Sequence, residues 1–571
     1  MLRLFYFLFL ISFSTTAQIN FTDEAINLGL NVNTGITYLG NGVSFCDYNQ
    51  DGWDDITLTT GVGQSLRFFK NINGVFLEET FDLISTEYQT KQVNWVDFDN
   101  DGDKDIFLTS DVNGLRLIEN TGNLVFQDIT ANSGIPIENF YTYGASWGDY
   151  NNDGYLDVFI SNRDSNFIIP NYLYKNNGDG TFTNVSTQAG ILNTSELSFC
   201  SAFFDFNNDG WQDIYVSNDK VINQNRLYKN NGDNTFSEIS ESSGTDISID
   251  AMTTTIGDYN NDGWQDIYIT NGPAGNVLFK NNGDETFTDI ALQTGTIFNS
   301  IGWGAVFLDA ENDMDLDLYV SGSLDGSYPN YLSSAFYINN ADETYALSSN
   351  SGFLYDNGAS YSNAIGDIDN DGFPEILVSN NDNENVFLWK NNTVSNNNWL
   401  KIKTVGVLSN KDGIGTKIEI SVNGEKQYRY VHCGEGYLSQ NSSTEIVGLG
   451  TNTIVDYIKF NWLSGTEDIF YNVASNQTLS VVEGSSSSLS VNDSAMHNYN
   501  IWPNPVKNKL TLEAKELINF YEVYTILGVK IITSDVKDFS FKINTSQLNS
   551  GSYFLKFFTN KNNYTIKFIK L

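Results

Sequence analysis

The nine residues Asp258-Tyr-Asn-Asn-Asp-Gly-Trp-Gln-Asp266 decide the fold, because the same phrase returns six more times along the chain. It reads DYNQDGWDD from residue 47, DFDNDGDKD from 97, DYNNDGYLD from 149, DFNNDGWQD from 205, DAENDMDLD from 309 and DIDNDGFPE from 367. Successive starts lie 50 to 58 residues apart, a period long enough for four short strands and their turns. Each phrase is led in by an apolar run such as Ser201-Ala-Phe-Phe204. An alternating run follows it, such as Asp213-Ile-Tyr-Val-Ser217, then Leu227-Tyr-Lys-Asn-Asn-Gly-Asp233 and Thr235-Phe-Ser-Glu-Ile239. Every repeat therefore supplies four strands, A to D, and their two largely apolar faces suit sheets packed between neighbours.

Seven such sheets form either an open solenoid or a closed propeller, and the ends of the array decide between them. The last repeat stops after Val386-Phe-Leu-Trp-Lys390 without a D strand. Ahead of the first acidic phrase, Asn20-Phe-Thr-Asp-Glu-Ala-Ile-Asn-Leu-Gly29 matches the D-strand phrase Thr286-Phe-Thr-Asp-Ile-Ala-Leu-Gln-Thr-Gly295. The offset predicts an all-β, seven-bladed ring over residues 18–394, closed by its amino-terminal strand.

The phrase also predicts a chemistry. In D-x-[DN]-x-D-G-x-x-D, side chains at positions 1, 3 and 5 converge where the chain turns at Gly, position 7 offers a carbonyl, and position 9 closes the shell; hard oxygen donors in that number suit Ca²⁺. The candidate ligands are Asp47, Asn49, Asp51 and Asp55; Asp97, Asp99, Asp101 and Asp105; Asp149, Asn151, Asp153 and Asp157; Asp205, Asn207, Asp209 and Asp213; Asp258, Asn260, Asp262 and Asp266; Asp309, Glu311, Asp313 and Asp317; and Asp367, Asp369, Asp371 and Glu375. There is no Glu at position 12 and no flanking helix pattern, so a helical calcium hand is rejected. The sixth loop departs from the rest: Met314 replaces Gly, which predicts a strained or empty turn.

Composition agrees with this reading. The chain has 571 residues, 70 Asp+Glu, 30 Lys+Arg, two His and three Cys, with a formal net charge of −40. Nucleic acid is excluded as a partner for want of a basic footprint. Seven divalent ions add fourteen charges and bring −40 to −26. Cys46, Cys200 and Cys433 are too few and too odd in number for a disulfide framework, and Cys46 and Cys200, on opposite sides of the ring, read as buried thiols. At tenfold above its dissociation constant each ion stabilises by about 1.4 kcal/mol, which gives roughly 10 kcal/mol over seven sites.

Residues 18–394 resemble the FG-GAP or VCBS repeat family, most clearly at Tyr143-Gly-Ala-Ser-Trp-Gly-Asp-Tyr-Asn-Asn-Asp-Gly154. The resemblance implies a seven-bladed propeller with calcium in its A–B hairpins and a binding or adhesion scaffold. In residues 395–484, Asn398-Trp-Leu-Lys-Ile-Lys403, Asn410-Lys-Asp-Gly-Ile-Gly415, Gly434-Glu-Gly-Tyr-Leu-Ser439 and Trp462-Leu-Ser-Gly465 resemble the ASPIC/UnbV module. That small β module follows such propellers in the cartilage acidic protein-like family. Thr416 and Leu463 stand where that family often has Ala and Pro.

Residues 485–499 are a linker by composition. Residues 500–571 then carry ten Lys against five Asp+Glu, a net +5 against −45 for the rest. Trp502-Pro-Asn-Pro505, Tyr524-Thr-Ile-Leu-Gly528, Leu548-Asn-Ser-Gly-Ser-Tyr-Phe554 and Thr565-Ile-Lys-Phe-Ile-Lys-Leu571 resemble the C-terminal sorting domain of the Bacteroidetes type IX secretion system. The resemblance implies a β-sandwich address, handled by the secretion machinery, and an outer-surface or extracellular product. Arg3, the apolar run Leu4 to Phe13 and Thr15-Thr16-Ala17 give residues 1–17 the pattern of a signal peptide, too short to span a membrane.

Catalysis finds little support in the sequence. Neighbours such as His432 and Cys433 point to opposite faces of a strand, and nothing nearby orients a nucleophile. The calcium spacing already accounts for the paired carboxylates. A ligand site belongs on the face opposite the A–B turns, where the long B–C loops offer Arg163, Phe167, Tyr328 and Tyr331, and the D–A connections offer Tyr141 and Phe199. Packing of that face against the 395–484 module is the competing use of it. The expectation is a monomeric, exported, non-enzymatic calcium propeller that binds a glycan or an extracellular protein; the alternative is a polysaccharide-active, lyase-like enzyme that uses the same propeller as its catalytic scaffold.

Overall fold

The computed structural model describes residues 18–353, 356–381, 383–486, 499–525, 530–549, 551–559 and 563–571. The expected signal peptide and most of the expected linker, residues 487–498, lie outside these. The described chain forms two compact units, with a boundary between Ser487 and Ser488.

Strand A of each repeat is apolar or small on both faces, so it is buried at the hub, and the acidic phrase turns it back antiparallel into strand B. Val43–Cys46, Asp55–Leu58, Arg67–Ile72 and Val75–Glu79 make blade one in that order. The same four-stranded order recurs in blades two to six from Val93, Thr142, Ser198, Thr255 and Gly302. Blade seven holds Ser360–Gly366, Glu375–Asn380 and Phe387–Asn391, and its outer strand is Phe21–Asp23. Phe21 faces Asn391 and Asp23 faces Trp389 in antiparallel register. The ring is thus closed by the amino-terminal strand.

The chain after blade seven folds into two small sheets. One orders Glu445–Gly448, Trp399–Val405 and Thr478–Val482; the other orders Glu425–Tyr430, Lys417–Val422, Ile454–Asn461 and Glu467–Ala474. They share one apolar core with blades two and three, in which Leu400, Ile402, Ile418 and Phe460 join Val96, Trp147 and Val158. This module sits on the A–B turns: Lys411 N–H donates to Asn100 Oδ1, and Gly450 N–H donates to Asn312 O. The module reaches the face of B–C and D–A loops through its channel segment, where Tyr437 packs on Phe199 and donates to Leu39 O, so the competing use of that face holds at the channel mouth, while Tyr141, Phe167, Tyr328 and Tyr331 remain exposed.

From the module, residues 431–442 run down the central channel. Ser439 and Gln440 pair in parallel with Val43 and Ser44 of blade one. Gln440 accepts the Trp95 N–H at 2.7 Å and donates to Trp95 O at 2.8 Å. Trp147 N–H donates to Cys433 O, Gly436 N–H to Thr254 O, and Ser442 N–H to Ile365 O, so blades one, two, three, five and seven all hold the segment. Its tip, Tyr437, lies edge-on to Phe199 at 5.5 Å and to Trp303 at 4.9 Å, and donates to Leu39 O. Gly434, at φ +85°, is required here: a Cβ would stand 2.4 Å from Ala145 O.

The second unit is a separate β structure. Its 17-residue strand Lys509–Thr525 pairs with Tyr499–Trp502, Lys530–Asn544 and Gly551–Thr559, and Asn563–Lys570 pairs with the last of these. Leu510, Leu512, Val523, Leu555, Phe557 and Phe568 form its core.

Candidate metal centres and the open loop face

All seven acidic phrases fold alike. The position-1 carboxylate accepts the N–H of position 6 at 2.8–3.1 Å, in each loop from Asp47 to Asp367. The position-9 carboxylate accepts the N–H of an Asn on strand C at 2.7–3.3 Å: Asn71, Asn120, Asn176, Asn230, Asn281, Asn339 and Asn391 in turn. In loops two to seven its second oxygen accepts the N–H of position 2. Position 9 therefore braces the hairpin to its blade in addition to facing the acidic cluster, a role the spacing alone did not reveal.

The donor set fits a hard cation. Ligand oxygens of Asp97, Asp99 and Asp101, of Asp309, Glu311 and Asp313, and of Asp367, Asp369 and Asp371 lie within 4.8 Å of one another in each group. Asp47 Oδ1, Asn49 Oδ1, Asp97 Oδ1, Glu311 Oε2 and Asp369 Oδ1 are buried with no hydrogen-bond partner, which is costly unless a cation supplies the missing charge. In loops three, four and five the position-3 amide donates to the position-5 carboxylate at 2.8–2.9 Å; rotating the amide presents its oxygen instead. Burial, with neighbouring carboxylates adding to it, pushes Asp97, Asp149 and Asp258 up to about 7, Asp55 to about 8 and Asp105 to about 9.

Loop six keeps this geometry despite Met314. The residue takes the positive φ of 87° that Gly adopts elsewhere, and its N–H reaches Asp309 Oδ2 at 2.9 Å. Its side chain packs against the core shared with the module, a contact that offsets the backbone strain. The loop also carries Asp315 at position 7, giving five acids in nine residues.

Two sets of amides, unassigned by the ligand spacing, tie each loop to the next. Position 4 is Asn in six loops and Gln50 in the first, always at positive φ, a conformation that Asn tolerates well. Its amide donates to the position-6 carbonyl of the following blade: Gln50 to Gly102, Asn100 to Gly154, Asn152 to Gly210, Asn208 to Gly263, Asn261 to Met314, Asn312 to Gly372 and Asn370 to Gly52, at 2.6–3.1 Å. The strand-C Asn reaches the other way, from its side chain to the position-2 carbonyl of the preceding blade: Asn176 to Phe98, Asn230 to Tyr150, Asn281 to Phe206, Asn339 to Tyr259, Asn391 to Ala310 and Asn71 to Ile368. Recurrence at fixed places in every repeat is the signal that marks both sets.

The module adds cations over these loops. Lys401 Nζ lies 2.9 Å from Asp367 Oδ2, both buried, and bonds Asn370 Oδ1; Lys403 lies 3.5 Å from Asp47; Lys417 donates to Asn208 Oδ1 and Gly263 O. They meet the outer side of the position-1 carboxylates and the amide ring.

On the opposite face, Phe167, Tyr328, Tyr331 and Tyr141 are exposed, whereas Phe199 is buried under Tyr437. Arg163 is tied to Asp219 at 2.5 Å and stacks over the Phe199 ring, so it buttresses the channel mouth rather than standing free. Ile36, Tyr38, Val62, Ile168, Val221 and Ile222 are exposed on the same face. His432 bonds Phe203 O of blade four, and burial lowers it to about 4, while Cys433 Sγ faces Trp95 O of blade two and meets Gln440; the two point to different blades and form no dyad. All three cysteines are buried and free.

The sequence profile of the FG-GAP-like repeat matches residues 47–108, 97–160, 149–216, 205–269 and 258–320. That described as ASPIC and UnbV matches 406–488, and the secretion system C-terminal sorting domain matches 500–571. The chain thus carries FG-GAP repeats, an ASPIC/UnbV module and a type IX secretion sorting domain, and is an exported propeller protein of the cell surface or exterior. Among curated proteins, cartilage acidic protein 1 of Xenopus tropicalis is 24% identical over 316 residues, 49% of this chain and 48% of that protein. The Homo sapiens protein of the same name is 22% identical over 477 residues, 77% of this chain and 62% of that protein. The chain therefore spans only about half to three-fifths of these relatives. The extracellular domain of a putative hybrid two component system from B. thetaiotaomicron aligns at 13% identity and TM-score 0.40, covering 96% of this chain and 72% of that one. Among the described residues no helix is long and apolar enough to cross a membrane.

Proposed function

We propose that the propeller is a calcium-stabilised, non-enzymatic binding module that engages a glycan or an extracellular protein through its B–C and D–A loops. One observation carries the reading: the module covers the acidic face, while the opposite face gathers exposed apolar side chains from several blades, among them Tyr38, Phe167, Ile168, Ile222, Tyr328 and Tyr331. Apolar side chains gathered on one rim mark interaction sites more often than inert surface. Aromatic rings beside Asn and Asp side chains stack on sugars or on a partner's apolar residues equally well. The cation loops supply rigidity, and the sorting domain supplies delivery to the surface.

The test is binding of the full chain to a panel of immobilised polysaccharides and of outer-surface proteins. Phe167→Ala with Ile168→Ser, and separately Tyr328→Ala with Tyr331→Ala, are expected to weaken any binding found by at least about tenfold, the loss of a central aromatic anchor, at unchanged melting temperature. Undiminished affinity in both variants contradicts the assignment of the face. New reducing ends or unsaturated sugars on incubation contradict the non-enzymatic reading.

A further inference from the structure

We propose that the seven acidic loops bind cations as one coupled ring, each filled loop raising the affinity of its neighbours. The inference rests on the reading of the loops as calcium sites and adds how they communicate.

The linkage is reciprocal. Position 4 of one loop stands between its ligands at 3 and 5, and its amide holds the position-6 carbonyl of the next loop, between that loop's ligands at 5 and 7. In the return direction, the strand-C Asn of the next blade holds the position-2 carbonyl of the first loop with its side chain, while its own N–H is fixed to the next loop's position-9 carboxylate. For loops three and four the parts are Asn152 Nδ2 on Gly210 O at 3.0 Å, Asn230 Nδ2 on Tyr150 O at 2.7 Å, and Asn230 N–H on Asp213 Oδ1 at 2.7 Å. A cation that orders loop three thereby fixes two groups within loop four. The second cation then orders less chain on binding, which is positive cooperativity without a change of fold.

The position-4 bonds close the circle through Asn370 on Gly52 O, so the ring is continuous across the chain's own closure point. The return latch joins blades two to three onward and blade seven to one; at the junction of blades one and two, Asn120 keeps the bond to its own blade at Lys104 O, which the other strand-C Asn side chains make as well, without the bond to the preceding loop. Coupling is therefore weakest between loops one and two, and strong where the two ends of the propeller meet.

Trp211, at position 7 of loop four, gives a local reporter: in a background of Trp53→Phe, Trp264→Phe and Trp399→Phe, the last because its ring packs on Gly372 of loop seven, Trp-sensitised Tb³⁺ emission follows that loop in the full, metal-stripped chain. Asn152→Gly keeps the positive φ of loop three and removes only the donor to loop four. The expected result is a sigmoidal titration in the background chain, and in Asn152→Gly a loop-four midpoint raised about fivefold, the low end of measured site-to-site couplings, with a Hill coefficient falling toward one. An unmoved midpoint in Asn152→Gly overturns the proposal. Should that variant fail to fold, Ca²⁺ calorimetry of the unaltered chain decides: a Hill coefficient above one supports coupling, and one or below overturns it. Absence of any cation binding overturns the calcium reading itself, a distinct outcome.

Discussion

Met314 shows how one side chain decides between two local demands. At φ +87° an L-residue is strained, yet its side chain fills the seam between loop six and the module core. Met314→Ala keeps the strain and loses the contact, whereas Met314→Gly loses the contact and relieves the strain. Thermal denaturation of the metal-free chain is expected to rank the Ala variant below the Gly variant by about 1 kcal/mol. The reverse order means that the backbone there is unstrained. At this scale the acidic clusters were legible, because carboxylates at fixed offsets declare themselves. The second duties of Asp157 and Asp213, bracing strand C, were not, because the partner is a backbone N–H, which any residue supplies.

At the scale of elements, the channel segment joins the two folds of the first unit. Tyr437 is fully buried among Phe199, Trp303 and Leu39, so Tyr437→Ala is expected to cost roughly 3–5 kcal/mol, the usual penalty for emptying a buried aromatic site. Propeller and module are expected to melt together in wild type; calorimetry that shows the module unfolding first, with the propeller transition unchanged by Tyr437→Ala, contradicts the shared core. The seven blades and their closing strand were legible because Asn20 to Gly29 repeats a D-strand phrase. The plug was not: Gly434-Glu-Gly-Tyr-Leu-Ser439 marks the module's family, but nothing in its pattern says that a loop of one domain fills the hub of another. The open loop face was located by strand parity alone. Which of its residues stand free was not, and Arg163 and Phe199 proved to be spent on the channel mouth.

At the scale of the whole molecule, the propeller of the first unit is a ring whose acidic charge is gathered at one rim. Without cations, the carboxyls of Asp149 and Asp258 hold protons up to about pH 7, Asp55 to about 8 and Asp105 to about 9, whereas the unfolded chain releases them near 3.8. The folded state then binds more protons than the unfolded one across that window, so metal-free stability is expected to fall as pH rises from about 4 to 9. With calcium the same groups are ionised ligands, and stability is expected to hold or rise over that span. Chemical denaturation at pH 5 and pH 8.5, with and without chelator, reads the crossing directly. Parallel pH profiles contradict proton and cation replacing one another at these loops.

The most direct measurement is scanning calorimetry of the full chain in millimolar Ca²⁺ and again in excess chelator. Seven filled sites contribute roughly 10 kcal/mol, so the transition of residues 18–487 is expected to drop by about 10 °C on chelation. The transition of residues 488–571, which lack the acidic loops, serves as an unmoved reference. Coincident scans in calcium and chelator contradict a propeller braced by cations.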